Sequence, residues 1–411
     1  MAVVRPFRAI KPAKGLEGEI AALPYDVFNR TEAKAKVHGK PLSFLNIDRP
    51  ETFFPEGYDM YAPEVYQKAA DRLHEMLEAG EFRQDEKEQY YIYEQTMNGR
   101  SQTGIVACVS IDDYLNNVVK KHENTREEKE QDRIRHIDTM NTQTGPIFLA
   151  YRANEELTAV ITSIKENEVD FDFTSEDGIR HRGWSVVSAS GVKKIGDIFA
   201  DMSHIYIADG HHRAASAVKV GLKRRKEFPQ YTGKEEFNYF LSVLFQHDEL
   251  MILDYNRVVK DLNGLDEAGF LHKIQEKFEL ELKTEAVSPS KKGEIGMLLK
   301  NQWYKLNIKS EYRNDHPVDG LDVSILQNEF LAPVLGIEDP RTDKRIDFVG
   351  GIRGLGELEK RVAEDCAVAF SMYPTSIEEL FDVADADLLM PPKSTWFEPK
   401  LRSGLFLHSL R

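Results

Sequence analysis

HIYIADGHHRAASAVKVGLKRRKE, residues 204–227, decides the fold class. Ile205-Tyr206-Ile207 is an apolar run of strand type, Gly210 is a breaker, and Ala214, Ala215, Val218 and Leu222 recur at helical spacing. The segment reads as strand, tight turn, helix. Such a turn presents unpaired backbone N–H groups and the positive end of the helix dipole, so an anion is favoured there. Arg213 adds a planar fork suited to phosphate oxygens. His211 and His212 can donate to phosphate or carry protons near neutral pH, while Asp209 can hold a cation or orient an imidazole. The competing account has Asp209 capping the helix, Gly210 easing the turn and the histidines decorating the surface. A metal centre built from His204, His211 and His212 is disfavoured, because adjacent histidines on a turn seldom face one ion.

Outward from this segment, strand and helix patterns alternate irregularly, which predicts a mixed α/β (α+β) chain. A helix is expected over about Ala62–Gly80, a hairpin around Asn98-Gly99, a buried strand in GPIFLAYR (145–152) and a second hairpin turning near Asp177-Gly178. Residues 120–145 mix charges of both signs with few apolar residues, so they read as a solvated helix with a long loop. FNYFLSVLFQ (237–246) and MILDYNRVV (251–259) read as strands paired with each other around the polar turn His247–Glu249. A boundary near Leu262-Asn263-Gly264 divides the chain into residues 1–262, which carry the phosphate-type turn and hairpin insertions, and residues 263–411. The latter form a further α/β region ending in a docked PPKSTWFEPK tail.

The chain has 411 residues, with 54 Lys+Arg against 69 Asp+Glu and a formal net charge of −15, a balance unsuited to a generic nucleic-acid binder. The short basic patch Lys219–Lys226 reads as the solvated face of one helix. With 41% hydrophobic and 10% aromatic residues the chain can bury a sizeable core, which excludes disorder as its main theme. Cys108 and Cys366 each lie in an apolar run, so neither a disulfide framework nor a cysteine metal site is expected. No stretch has the apolar length of a secretory signal or a membrane span, and a cytoplasmic location is expected.

Lys121-His122-Glu123-Asn124-Thr125-Arg126 puts cation, carboxylate and hydroxyl in one loop that could clamp a triphosphate or hold Mg²⁺, against the reading of a solvated charge run. Lys393-Ser394-Thr395 lacks the GxxxxG that a P-loop requires, which excludes a Walker site, although Lys393, Lys400 and Arg402 could close over an anionic ligand. The glycines at 350, 351, 354 and 356 do not have GxGxxG spacing, so a dinucleotide fold is weakly supported.

ADGHHRAA (208–215) resembles the phosphate-binding signature of the ParB/sulfiredoxin superfamily, and most closely the DGHHR of its free-serine-kinase branch. Together with Leu23-Pro24-Tyr25-Asp26-Val27, His122-Glu123-Asn124-Thr125, Asp254-Tyr255-Asn256-Arg257 and Met390–Lys400, it also resembles a large bacterial family of unknown function related to ParB. The resemblance implies a ParB/sulfiredoxin-like nucleotide-binding core in residues 1–262. It implies ATP (or ADP or CTP) with Mg²⁺, and phosphoryl transfer to a small hydroxyl compound, free L-serine first. Gly210, His211, His212 and Arg213 would hold phosphates, with Lys121, His122, Thr125 and Lys393 around them. Asp209 and Glu123 would engage the metal, and His211 and Asp209 would sit at the reacting centre. In that branch an early glutamate is the base for the hydroxyl; Glu32 is its nearest match here and Asp26 its competitor. Against both stands a plain account in which Asp26 makes a turn and Glu32 favours a helix dipole. Expected partners are the nucleotide and its acceptor, not membrane or nucleic acid, with a homodimer left open. The alternative function is a ParB-like nucleotide-binding or hydrolysing regulatory protein without small-molecule kinase activity. Sulfiredoxin-type redox repair would need a cysteine in the turn, where His211 stands.

Overall fold

A computed structural model describes residues 1–411, which form two compact units: Met1–Leu250 with Pro399–Arg411, and Met251–Glu398. Both are mixtures of sheet and helix, as the alternating patterns predict.

In the first unit the chain runs through β1 (Val4–Arg5), α1 (Arg30–Val37), α2 (Pro63–Glu78), β2 (Tyr91–Met97), β3 (Arg100–Ser110), β4 (Val119–Lys120) and α3 (Glu127–Met140). It continues with β5 (Ile147–Tyr151), β6 (Phe171–Thr174), β7 (Arg180–Ser185), β8 (Ile205–Asp209), α4 (His211–Glu227) and β9 (Tyr239–Gln246). One nine-stranded mixed sheet has the order β4-β8-β5-β9-β3-β2-β7-β6, with β1 added on β3. Asn98 and Gly99 both have positive φ (51° and 80°), the turn that an Asn-Gly hairpin requires between β2 and β3. The core joins Ile105, Ala107 and Val109 of β3 with Leu149, Ile207 and Leu244 of neighbouring strands and Ala214, Ala217 and Val218 of α4.

Two expectations are corrected here. FNYFLSVLFQ and MILDYNRVV do not pair with each other: β9 lies between β3 and β5, antiparallel to one and parallel to the other. Met251–Leu253 pairs instead with Trp396–Glu398, and β10 (Tyr255–Val259) enters a second sheet. The chain therefore leaves the first unit after Leu250, not near residue 262, and re-enters it at Pro399. A cut at 262 would strip the second sheet of β10, whose two edges are both paired. The tail is split likewise: PPKSTWFE stays with the second unit, while Ser403, Leu407 and His408 bridge to Ala22, Ile10 and Gln143 of the first.

The second correction concerns residues 120–145. Their helix, α3, is not a solvated one: Glu130, Arg133, His136, Ile137 and Met140 are buried. It packs on α4, with Lys219 paired to Glu130 and with Lys223 and Arg224 paired to Asp138. The basic patch Lys219–Lys226 thus spends its charge on acidic residues of its own unit, Arg225 adding a pair with Asp112. Gly221 lets α4 approach the lead into β9, because a Cβ there would collide with the Phe237 carbonyl and lie 2.7 Å from Ile111 Cδ1. Gly221→Ala is expected to cost about 1–3 kcal/mol through overpacking, read as a lower urea midpoint with unchanged slope.

The second unit holds a six-stranded antiparallel sheet in which β11 (Phe278–Lys283), β13 (Gln302–Ile308), β12 (Glu294–Leu299), β15 (Val368–Met372), β10 and β14 (Ile346–Gly350) are neighbours in that order. Its core gathers Val259, Ile295, Met297, Leu306 and Phe370 of the sheet with Phe270, Ile274 and Phe330. Gly350 and Gly351 answer to packing, since a Cβ would press on the Trp396 ring at one and on Asp254 at the other. Cys108 and Cys366 are both free and buried.

Candidate functional site

The turn at residue 210 is built by three local choices. β8 pairs with β5 through Tyr206↔Ala150 and Ile207↔Leu149, then skips to Asp209↔Phe148, so one extra residue bends the strand end and re-aims Asp209. Gly210 takes φ 95° and ψ 30°, a left-handed conformation that favours glycine. α4 then starts at His211 without any side-chain cap, which leaves the positive end of the helix dipole to other groups.

The Arg213 guanidinium folds back over this turn: a Cβ on Gly210 would lie 3.0 Å from both Nε and Nη2. Its Nη1 donates to the Pro146 carbonyl and its Nη2 stands 3.9 Å from Asp209 Oδ2. Asp209 Oδ1 accepts the Gly210 N–H at 2.9 Å, and Oδ2 accepts Lys400 Nζ at 3.2 Å. Burial works to raise the Asp209 pKa, but Lys400, Arg213 and His211 outweigh it and hold the carboxyl well below the usual range.

His211 and His122 are both buried and meet edge to face, with ring centroids 4.4 Å apart. His211 Nδ1 lies 3.6 Å from Glu123 Oε2, and its Nε2 accepts the His122 N–H at 3.5 Å. Burial pushes His211 well below its ordinary pKa, helped by His122, His212 and Arg213 and opposed by Asp209. Burial pushes His122 down to about 4, opposed by Asp209. Both rings are therefore neutral at pH 7. His212 Nε2 accepts the Arg126 N–H at 3.0 Å; its pKa is lowered by burial and Lys129, against Glu130 and Asp26.

The structure brings part of the expected set together. Asp209, Gly210, His211, His212, Arg213, His122 and Glu123 share one turn-and-loop region, and Asp26 acts electrostatically on His212. Other residues are placed elsewhere. Lys121 reaches the Tyr114 carbonyl at 3.3 Å and covers its ring. Thr125 hydrogen-bonds Glu130. Glu32 closes a capping box on α1: its carboxylate accepts the Asn29 N–H at 2.9 Å while its own N–H goes to Asn29 Oδ1. Lys393 belongs to the second unit, its ammonium over the Tyr255 ring. Arg402 does not join Lys400 at the turn but pairs with Asp177 beside His181.

A family model described as a protein of unknown function, DUF1015, matches residues 4–324. The chain belongs to the DUF1015 family. No curated protein matches it. Among solved structures, a free serine kinase in complex with AMP is 14% identical to this DUF1015 chain, covering 71% of it and 86% of the kinase at a TM-score of 0.36. SbnI with a C-terminal truncation, from Staphylococcus aureus, is 12% identical over 72% of this chain and 84% of its own, with TM-score 0.37. A conserved hypothetical protein from Pyrococcus furiosus is 16% identical over 71% and 90%, with TM-score 0.34. No helix of this DUF1015 chain is long and apolar enough to cross a membrane.

The sequence reading quotes Tyr25 only within the motif at 23–27 and gives Arg133 no role. The Arg133 guanidinium stacks 4.0 Å over the Tyr25 ring, and both line a cavity of about 30 Å³ with Asp48, His136, Thr144 and Arg213. That space is large enough for about one or two water molecules. The Asp26 side chain therefore stands on a segment anchored beside Arg213, although nothing in the spacing of Tyr25 and Arg133 reveals their contact.

Proposed function

We propose that this chain is a nucleotide-dependent phosphotransferase that moves a terminal phosphoryl group from ATP, ADP or CTP to a small hydroxyl compound, with free L-serine the first acceptor to try. The observation that supports it is the uncapped start of α4 behind a left-handed glycine, with Arg213 folded over it and Lys400 on Asp209 beside it. Phosphoryl transfer asks a protein mainly for positioning and charge neutralisation. In this reading the first-turn N–H groups of α4 and the Arg213 fork hold phosphate oxygens, as in a ParB/sulfiredoxin-type turn. Lys400 turns from Asp209 to the incoming anion, and His211 and His212 donate to it. Asp26, exposed and within electrostatic reach of His212, takes the proton of the acceptor hydroxyl, since Glu32 is committed to its cap. Mg²⁺ would neutralise phosphate charge when bound. The half-exposed Glu123 carboxylate suits it, and Asp209 Oδ2 is released to it as Lys400 turns away, while Oδ1 keeps the Gly210 amide. The net charge of −15 does not oppose an anionic ligand, because the local cations and the helix end set the field at the turn.

Incubating the full chain with ATP, ADP or CTP, Mg²⁺ and a panel of small alcohols tests the reading directly. A phosphorylated acceptor is the expected product. Hydrolysis alone would leave a nucleotide-regulated protein, and absence of nucleotide binding would remove the proposal. Asp26→Asn is expected to keep nucleotide affinity while turnover falls by about 100-fold or more, the usual worth of a general base.

A further inference from the structure

The pair His122 and His211 lies 89 residues apart in the chain, yet the β4–β8 pairing, parallel through Ile205↔Val119 and Tyr206↔Lys120, carries both to one strand end. His122 is 2% exposed, and its Nδ1 is buried without any hydrogen-bond partner. Leaving such a nitrogen dry and unpaired costs about 1–3 kcal/mol, so its retention asks for a ligand. The other nitrogen of the same ring is held by the Ile207 backbone carbonyl. One ring nitrogen donating to a carbonyl while the other presents a lone pair is the arrangement by which proteins orient a metal-binding histidine.

We propose that His122, Glu123 and His211 form a site for one borderline divalent transition-metal ion, Zn²⁺ or Co²⁺ in class. One donor atom from each of the three residues lies within 4.8 Å of the others, and the shortest recorded approach, His211 Nδ1 to Glu123 Oε2, is 3.6 Å. Around a tetrahedral ion with bonds of about 2.0–2.1 Å, neighbouring donors sit about 3.3 Å apart, so a small movement of the half-exposed Glu123 side chain closes the set. Ligation through Nδ1 puts the ring proton of His211 on Nε2, so the ion gives up only the weak 3.5 Å contact from the His122 N–H. Two imidazoles and one carboxylate select a transition metal over Mg²⁺, which prefers an all-oxygen octahedral shell. Three protein ligands also leave a fourth position open, on the side where Glu123 meets solvent. When a transition metal occupies the site it takes Glu123 in place of Mg²⁺ and His211 ligates instead of donating to phosphate; the site itself does not need the phosphotransferase reading.

The test uses the untagged full chain, stripped with a chelator and titrated with Co²⁺ alone, followed by its visible ligand-field absorption and by calorimetry. One Co²⁺ per chain is expected, displaced by Zn²⁺ and not by Mg²⁺ at equal concentration. Glu123→Gln, at a half-exposed position that should leave the fold intact, and His122→Asn are each expected to weaken binding more than about 100-fold. That exceeds the 10–100-fold typical of losing a group that only supports a ligand. No uptake, uptake unchanged in Glu123→Gln, or displacement by equimolar Mg²⁺ would overturn the site. ADP titrated into the same metal-free sample reports on the nucleotide reading separately, so failure of one is told from failure of the other.

Discussion

Arg213→Ala is expected to weaken ADP binding by at least about 100-fold, roughly 3 kcal/mol, and to lower stability by about 2–4 kcal/mol. Two different losses lie behind the two numbers. The binding loss follows from removing the fork that overlies Gly210, whose Nε and Nη2 face the turn. Charge-assisted hydrogen bonds to phosphate are worth about 1.5–3 kcal/mol each. The stability loss follows from Nη1, which leaves the Pro146 carbonyl without its donor at a position where Arg213 is 9% exposed. Asp209 keeps Lys400 as its partner, so its carboxylate is not stranded by the change. Arg213→Lys separates the effects: it restores charge but not the planar fork, and should recover part of the stability with little of the affinity. Calorimetry with ADP and urea unfolding read the two quantities. Wild-type affinity in Arg213→Ala would remove the turn from any account of nucleotide binding.

The turn was legible because each of its signals is local. An apolar run, a glycine and a helical repeat within twenty-four residues specify β8, Gly210 and α4 without reference to anything distant. The Asn98-Gly99 and Asp177-Gly178 hairpins were legible for the same reason. What failed was non-local. Alternation in 237–246 and 251–259 is the same whether the strands pair with each other or with strands far away in the chain, and the true neighbours of β9 begin at Arg100 and Ile147. Charge in α3 misled likewise, since Glu130 and Arg133 are buried against Lys219 and Asp132 and composition cannot tell a paired charge from a hydrated one. His122 meeting His211 depends on the β4–β8 register, which spacing does not encode. The three tail cations looked like one anion clamp because they lie within ten residues. Their backbone belongs to two units, and Lys400 and Arg402 pair with different carboxylates, Asp209 and Asp177.

The contact of Arg402 with buried His181 makes the tail a point of acid sensitivity. His181 is fully buried, with Nδ1 on the Tyr93 hydroxyl at 2.7 Å, Nε2 on Ser175 Oγ at 3.0 Å and the Arg402 guanidinium beside it. Burial first, then Arg402, push its pKa down to about 3, with Asp177 opposing. Its pKa in the unfolded chain is about 6.5. A histidine lowered on folding is neutral in the native state while the unfolded chain takes up a proton. The stabilisation is therefore complete above about pH 6.5 and is lost progressively as pH falls towards 3. At pH 4.5, about two units below the unfolded value, His181 alone should cost about 2–3 kcal/mol relative to pH 7. Asp177 and Asp209 are likewise shifted down, below the ordinary carboxylate value, so their contributions fade only as pH falls below about 4 and add to the loss there. Urea midpoints measured through the range should fall steadily, and His181→Gln, which keeps polar contacts without a titrating ring, should flatten the profile by about that amount. Protonation places a second cation against Arg402, two residues from the lysine on Asp209, so loosening should start in Pro399–Arg411 and be visible as amide exchange there before global unfolding. A pH profile unchanged by His181→Gln would show that the buried imidazole is not what the acid attacks.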